Sequence, residues 1–225
     1  MPDGAKRDVF VTGGTGFMGR RLIKELLRRG HRVRALVRAG SETKVPAGCA
    51  VLTGDPLEKS SFAANVAPSD TFVQLVGVAH PNPAKREQFR AVDYRAGRAG
   101  VEAAAAAGVR HFVYVSVAQP APVMKAYIEV RAAVEEVLRQ SGLNATILRP
   151  WYVMGPGRRW PMLLRPFYWL MQRIPTTRES ARRLGLVTQD QMLAALVIAV
   201  ENPATGVKIV PVVDICRSVL TPARS

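Results

Sequence analysis

The first forty residues change from one hydrophobic pattern to another and back. Residues 8–12 (DVFVT) form a short apolar run, which is typical of a buried strand. Residues 31–38 (HRVRALVR) form a second such run after Gly30, a residue placed to end a helix. Between them, apolar residues recur at helical spacing opposite a basic face, at Met18, Leu22, Ile23, Leu26 and Leu27. The pattern predicts a strand, a helix and a second strand in the order of a βαβ unit.

The same alternation continues along the chain and predicts an α/β fold. Further strands are expected at 49–55, 70–78, 111–117 and 144–150, and helices at 57–66, 84–107 and 125–140. We therefore expect a single Rossmann-type domain, residues 1–225, with a doubly wound parallel sheet and helices on both faces. Residues 151–225 would form its smaller, substrate-side part. There Thr188 is expected to cap a helix that ends before Pro203.

Composition adds few constraints. Of the 225 residues 48% are hydrophobic and 22% charged, which suits a globular protein. The chain has no apolar run of about 18 residues, and its first residues (MPDGAKRD) lack the apolar core of a secretory signal, so a cytoplasmic location is expected. Cys49 and Cys216 have neither metal-binding nor redox spacing, and no metal site is predicted.

The chain is strongly basic, with a formal net charge of +15. Such a charge suits nucleic acid, an anionic membrane surface or an anionic ligand, and charge alone does not choose among them. A compositional bias without any dedicated partner is the alternative. The densest stretch is 158–183, where seven arginines accompany one acid, Glu179. We expect no specific nucleic-acid partner, because the chain has no recognisable reading helix or RNA motif.

Glycines are concentrated between the first strand and the first helix. Gly13, Gly16 and Gly19 lie at this turn, where the lack of a Cβ permits a tight bend and the close approach of a pyrophosphate. The amides at the start of the helix would bind the phosphate charge. An ordinary glycine loop is the alternative, but the surrounding strand, helix and strand favour a dinucleotide site.

The residues after the second and third strands bear on the choice of cofactor. The second strand ends at Arg38, and no acid follows until Glu42, whereas an NAD site usually has an acid there for the ribose hydroxyls. Arginine suits a 2′-phosphate, so NADP(H) is favoured over NAD(H); a solvated surface arginine is the alternative. Asp55 could accept a hydrogen bond from the adenine amino group, or could instead cap the next helix.

Several motifs together resemble a known family. They are TGGTGFMG, LVR at the end of the second strand, GD at 54–55, FVYVS, and YIEVRAAVEEVLRQSGLNATILRPWYVMGPG. Across 8–157 the chain resembles the atypical and extended short-chain dehydrogenase/reductases. It is similar to the NAD(P)H-binding proteins grouped with nucleotide-sugar epimerases and to the NADPH-binding accessory subunit of respiratory complex I. The glycine turn and this resemblance lead us to expect cofactor contacts from Gly13, Thr15, Gly16, Phe17, Met18, Gly19, Arg38, Asp55, Val76, Gly77, Arg131 and Pro150.

The resemblance also implies a catalytic pair. The family's tyrosine and lysine stand four residues apart on one helix, and Tyr127 and Arg131 occupy these positions. The tyrosine would act as general acid or base, with the arginine supplying positive charge and a donor to the ribose; arginine cannot relay a proton. Ser116 is the candidate for the family's serine, although the next position is Val117. A half-buried core tyrosine with a solvated arginine is the alternative.

The remaining candidates concern the substrate. His80 follows the fourth strand at the edge where open α/β sheets bind ligands, and it could reach the nicotinamide or the substrate; a bystander in the loop is the alternative. His31 and His111 precede strands and are expected to be structural. The aromatic and basic residues of 151–175 could receive an apolar or anionic substrate, and 158–183 could contact a membrane surface; a helix packed on the sheet is the alternative.

Together these features predict an NADP(H)-binding oxidoreductase that transfers hydride to or from a small carbonyl or alcohol substrate. A non-catalytic NADPH-binding protein, acting as a redox sensor or stabilising a complex, is the competing hypothesis.

Overall fold

The computed structural model describes residues 6–79, 81–121, 123–154 and 185–220. Seven strands in this part form one parallel sheet, in the order β3-β2-β1-β4-β5-β6-β9. They are β1 (Asp8–Thr12), β2 (Arg32–Val37), β3 (Ala50–Thr53), β4 (Thr71–Gln74), β5 (His111–Val115), β6 (Ala145–Arg149) and β9 (Val207–Pro211). A separate parallel pair contains β7 (Tyr152–Met154) and β8 (Leu186–Thr188). The predicted Rossmann-type doubly wound sheet is confirmed.

Helices connect the strands. They are α1 (Gly19–Arg28), α2 (Arg86–Gln88), α3 (Arg95–Ala106), α4 (Lys125–Gln140), α5 (Gln189–Glu201) and α6 (Val212–Arg217). A π-helical segment, Phe89–Tyr94, joins α2 to α3. Thr188 caps α5 as predicted, because its hydroxyl accepts from the amide of Gln191 at 3.1 Å and the Gln191 side chain accepts from the Thr188 amide at 2.9 Å.

The sheet separates two apolar layers. On one face, α1, α5 and α6 cover side chains such as Val9 and Val11 of β1. On the other face, α3 and α4 cover three aromatic rings from adjacent strands: Phe10, Phe72 and Phe112. The centroid of the Phe72 ring lies 5.1 Å from those of both neighbours. Helices on both faces follow from the near-continuous apolar runs of the strands, because both sides of such a sheet must be buried.

The prediction of a helix at 57–66 was wrong. This stretch contains two 3₁₀ turns, Lys59–Ser61 and Ala63–Asn65. The Ser61 hydroxyl makes bonds with the carbonyls of Asp55 and Glu58, at 2.9 and 2.8 Å, and accepts from the Asp55 amide at 2.9 Å. A short polar side chain that bonds to nearby backbone in this way favours a turn over a helix.

The chain from α5 onward adds to the main sheet and to one of its helix layers. Strand β9 pairs along its whole length with β6, and α5 packs on the same side of the sheet as α1. Leu193, Leu196 and Val197 of α5 are buried in this layer. This part of the expected substrate-side segment therefore completes the core, whereas 155–184 and 221–225 lie outside the described residues.

Two histidines lie at the amino ends of strands, away from the glycine turn. His31 precedes β2, and its Nδ1 accepts from the amide of Arg7 at 3.1 Å. His111 begins β5, is fully buried, and contacts the Thr146 hydroxyl at 3.0 Å. Burial and the nearby Arg7 lower the pKa of His111 to about 4.

Candidate functional site

A cleft of about 370 Å³ opens at the carboxyl edge of the sheet, where the strand order reverses between β1 and β4. Open α/β sheets bind their ligands at this switch point. Seven of the residues predicted to contact a cofactor line the cleft: Gly13, Thr15, Gly16, Arg38, Asp55, Val76 and Gly77. They come from the loops after β1, β2, β3 and β4, so the topology brings together residues that are up to 64 positions apart.

The glycines after β1 lack a Cβ for different structural reasons. Gly13 has a φ of +74°, and a Cβ there would lie 2.8 Å from the carbonyl carbon of Leu75 in the loop after β4. A Cβ on Gly19 would overlap the carbonyl oxygen of Gly13, so Gly19 allows α1 to pack against the end of β1. At Gly16 the nearest atom would be the Gly13 oxygen at 3.1 Å, which is a tight but smaller conflict. Among the cleft glycines, Gly16 is therefore the one where an added side chain would conflict least with the fold itself.

The start of α1 is suited to an anion. Met18 occupies the N-cap without a capping side-chain bond, and the first turn contains no acid. The positive end of the α1 helix dipole is therefore not neutralised by an acid of the first turn, which favours binding of a phosphate there. Phe17, Met18 and Gly19 do not line the cleft themselves. Their predicted contact with the cofactor would be made by backbone amides.

Arg38 and Asp55 stand at the outer part of the cleft. The Arg38 side chain is exposed and makes no ion pair with another residue in the described part of the chain. One carboxylate oxygen of Asp55 accepts from the amide of Leu57 at 2.9 Å, which closes a turn; the helix that Asp55 was alternatively expected to cap does not form there. The other oxygen makes no hydrogen bond to the described residues. Asp55 can therefore cap its turn and still face a ligand.

Tyr127 and Arg131 lie on the first half of α4, as predicted, but neither lines the cleft, and Arg131 is buried rather than solvated. Its Nη2 donates to Asp93 at 2.6 Å and its Nη1 to the carbonyl of Val115 at 2.9 Å. The guanidinium carbon lies 5.1 Å from the ring centroid of Tyr127, so the charge faces the ring rather than the hydroxyl. Tyr127 is half-buried and its ring also packs against that of Phe89, with 4.9 Å between ring centroids.

Burial perturbs the groups around Arg131. Burial alone would lower the pKa of Arg131, but Tyr127, Tyr114 and Asp93 raise it above its usual value, so the guanidinium stays charged. Burial raises the pKa of Asp93, and the charge of Arg131 opposes this effect. Burial also raises the pKa of the Tyr114 phenol to about 12, which leaves this hydroxyl protonated at neutral pH.

Ser116 follows β5 and is buried. Its hydroxyl donates to Oε1 of Glu135 at 2.6 Å, and the same carboxyl accepts from Arg149 (Nε, 3.0 Å) and Arg139 (2.9 Å). Val117 at the next position is also buried. The Ser116 proton is therefore engaged within the protein.

The sequence reasoning did not identify Asp93 or Glu135. Both are acids within helical stretches, and their side chains are 0% and 1% exposed. Buried acids of this kind are almost always paired. Asp93 pairs with Arg131, 38 residues away, and Glu135 pairs with Arg149, 14 residues away, so no local spacing indicates these two pairs. Arg139, four residues after Glu135 on the same helix, is the partner whose spacing could have indicated the pairing.

Other predicted residues lie elsewhere. Pro150 is buried at the end of β6, where its carbonyl accepts from the amide of Ala118 at 2.9 Å, and it does not line the cleft. His80 and the basic stretch 158–183 lie outside the described residues. In the described part of the chain, no helix is both long and apolar enough to cross a membrane.

The chain is similar to known NAD(P)H-binding proteins and reductases. A family model described as NAD(P)H-binding matches residues 13–159. A ceramide reductase from Caulobacter vibrioides is 28% identical over 212 residues, which cover 92% of this chain and 65% of that protein. A 3-diazoavenalumate denitrifying reductase from a Streptomyces species is 30% identical over 229 residues, covering 88% of this chain and 73% of that protein. The chain thus spans about two thirds of the length of the ceramide reductase.

A solved structure shows the same fold. The enzyme WbmH of Bordetella bronchiseptica, in complex with NAD⁺, superposes with a TM-score of 0.67 at 21% identity. The match covers 90% of this chain and 75% of that one. At this identity the likeness concerns the fold alone.

Proposed function

Because the chain belongs to the NAD(P)H-binding family, we propose that it binds NADP(H) in the switch-point cleft and transfers hydride to or from a small carbonyl or alcohol substrate. The observation that carries this proposal is the convergence of the glycine turn and Arg38 on one cleft. The glycines leave room for a pyrophosphate, and the arginine supplies a cation at its rim. The two reductases similar to this chain agree with an oxidoreductase role.

The preference for NADP(H) follows from charge at the end of β2. Arg38 is free to pair with a 2′-phosphate, and arginine offers two parallel donors to such a group. The first acid after it, Glu42, turns back into its own loop, where its carboxylate accepts from the Gly40 amide at 3.0 Å. Hydrogen bonds from its own backbone amide and from that of Gly40 lower the pKa of Glu42. An acid held in this way is poorly placed to bind the ribose hydroxyls of NAD(H).

For catalysis we propose Tyr127 as the general acid that donates a proton to the substrate oxygen. The nicotinamide supplies or accepts the hydride when the cofactor is bound. The Tyr127 hydroxyl makes no hydrogen bond to another described residue, and it could donate a proton to the oxygen of a reduced carbonyl. Arg131 adds a fixed positive charge beside the ring but cannot relay the proton. Ser116 would contact the substrate only through its lone pairs, since its proton lies on the bond to Glu135.

The competing function is a cofactor-binding protein without turnover. Two observations favour it. Arg131 donates hydrogen bonds to Asp93 and to the carbonyl of Val115 within the protein, and the Ser116 hydroxyl donates its proton to a hydrogen bond with Glu135. In the family these positions serve ribose and substrate. A sensor or complex-stabilising role would use the cleft without either of them.

The substrate class is proposed from the relatives. The name of the ceramide reductase indicates that it acts on an apolar lipid, so an apolar substrate is proposed here as well. The aromatic and basic segment after β7 would receive it, and contact of 158–183 with an anionic membrane surface would bring protein and lipid together.

The proposal is tested by titrating the protein with NADPH and NADH while following cofactor fluorescence. We expect saturable binding of NADPH, with NADH binding at least ~10-fold more weakly. A panel of aliphatic, aromatic and long-chain carbonyl compounds is then added and NADPH absorbance followed. Binding without turnover would favour the sensor role, and failure to bind either dinucleotide would contradict both functions.

A further inference from the structure

Asp93 bonds to two different segments with its two carboxylate oxygens. Oδ2 accepts from the amide of Val78, in the loop after β4, at 3.0 Å. Oδ1 accepts from Nη2 of Arg131, on α4, at 2.6 Å. The Asp93 side chain is fully buried in the π-helical segment. The neighbouring Gly77 lines the cleft, so the loop that Asp93 holds is part of the cofactor site.

Arg131 extends this connection towards the candidate acid. Its guanidinium faces the Tyr127 ring and donates to the Val115 carbonyl at the end of β5. Its Nε is buried without a hydrogen-bond partner in the described chain, and Asp93 is the acid with which it forms an ion pair there. Gly77 permits this packing, because a Cβ at that position would overlap Nη2 of Arg131. The Arg131 side chain therefore lies against Gly77 and also faces the Tyr127 ring.

We propose that Asp93 is a positioning residue that ties the loop after β4, which lines the cleft, to α4 and thereby holds Tyr127 in a fixed position relative to that loop. The proposal rests on the proposed function for what this positioning serves, but the tie itself is a property of the protein without ligand. Asparagine cannot replace it. An amide side chain has one acceptor oxygen, so it could satisfy either Val78 or Arg131 and would present its NH₂ group to the other donor.

The tie is tested by hydrogen–deuterium exchange of the full chain without cofactor, followed in peptides covering 76–79 and 125–131. Asp93→Asn should speed exchange about 10-fold or more in both segments, because each loses a bond to the same carboxylate. The matched control is Asp70→Asn. Asp70 also accepts from a backbone amide, that of Asp8 at 3.2 Å, and pairs with Arg110 at 3.5 Å, but at the opposite edge of the sheet. This control should change exchange less than twofold in the two segments.

Variants at Arg131 separate a specific tie from a general loss of stability. Arg131→Lys keeps a cation that can reach Asp93 and should retain slow exchange in 125–131, whereas Arg131→Met should match Asp93→Asn there. In 125–131 the double variant Asp93→Asn/Arg131→Met should exchange no faster than either single variant, since all three break the same contact between Asp93 and Arg131. The double variant also leaves no unpaired charge buried, so it serves in place of Asp93→Asn if that variant does not fold.

Adding NADPH distinguishes this proposal from the proposed function. In the wild type NADPH should slow exchange in both segments, and in Asp93→Asn it should slow 76–79 alone. No effect of NADPH on the wild type would count against the proposed function, whereas the ligand-free result decides the tie. Unchanged ligand-free exchange of 125–131 in Asp93→Asn, or additive effects in the double variant, would overturn it, as would NADPH-dependent slowing of 125–131 that persists in Asp93→Asn.

Discussion

The hydroxyl of Ser116 donates to the fully buried carboxyl of Glu135 at 2.6 Å, which joins the end of β5 to the middle of α4. Glu135 also accepts from Arg149 and Arg139, so its oxygens act as acceptors and the proton lies on the serine. This relationship gives Ser116 a structural role that its place in the family motif does not indicate.

Ser116→Ala should therefore reduce stability more than chemistry. Removing the hydroxyl leaves Glu135 short of one donor, and the free energy of unfolding should fall by about 1–2 kcal/mol in urea titrations. Turnover, where a substrate is found, should fall less than ~10-fold. Thr146→Val is the matched control, since it also removes a buried hydroxyl, the partner of His111. A loss of turnover above ~100-fold in Ser116→Ala but not in Thr146→Val would indicate that Ser116 has a catalytic role.

Arg38→Asp should separate the two cofactors. It removes the cation proposed to pair with the 2′-phosphate and replaces it with a repelling charge, so NADPH binding should weaken by about 1.5–3 kcal/mol while NADH binding changes little. Fluorescence titrations measure both affinities. Lys24→Asp makes the same change of charge on the exposed side of α1 and should leave both affinities unchanged. Equal losses for NADPH and NADH in Arg38→Asp would contradict the 2′-phosphate role.

Substitutions at two glycines should separate binding from folding. Gly16→Val places a branched side chain in the cleft while meeting only the Gly13 oxygen at 3.1 Å, so the protein should fold and lose dinucleotide binding. Gly19→Ala should instead lower the melting temperature, because its Cβ would overlap the same oxygen. Calorimetry and NADPH titration of both variants provide the comparison. NADPH affinity retained in folded Gly16→Val would count against the assigned pyrophosphate position.

Tyr127→Phe decides between an enzyme and a binding protein. If Tyr127 donates the proton, turnover should fall by about 10²–10⁴ while NADPH affinity stays within about twofold, because the ring contacts with Phe89 and Arg131 survive. Tyr94 is also half-buried, so Tyr94→Phe is the control, and this variant should turn over substrate at the wild-type rate. A Tyr127→Phe variant as active as the wild type would leave Tyr127 as a packing residue.

Stability should depend on pH through His111. Its pKa is lowered to about 4 in the folded protein, from an ordinary value of 6.5, because burial disfavours the charged ring. The unfolded chain therefore binds the proton more readily, and the stabilisation is complete above pH 6.5 and lost as the pH falls towards 4. The loss should approach about 3 kcal/mol, measured by urea unfolding between pH 7 and 4. His111→Gln should flatten this part of the profile; an unchanged slope would assign it to other groups.

The cofactor cleft was largely predictable because its signals are local. The glycines must lie at the turn after β1, and Arg38 and Asp55 must lie just beyond β2 and β3, once these runs are identified as parallel strands. Parallel strands place their carboxyl ends at one edge, so the cleft follows from strand order. The helix prediction at 57–66 was wrong because the Ser61 hydroxyl bonds to the backbone of Asp55 and Glu58, which favours turns over a helix.

By itself the sequence determined the alternation of strands and helices, the glycine turn and the residues at the strand ends, since each depends on neighbours within one or two turns of chain. Only the tertiary structure decided the roles of Arg131 and Ser116. A buried charge or hydroxyl must find a partner, and which partner is within reach depends on how distant elements pack. Asp93 lies 38 residues before Arg131 and Glu135 lies 19 after Ser116, so spacing on α4 alone indicated neither pair.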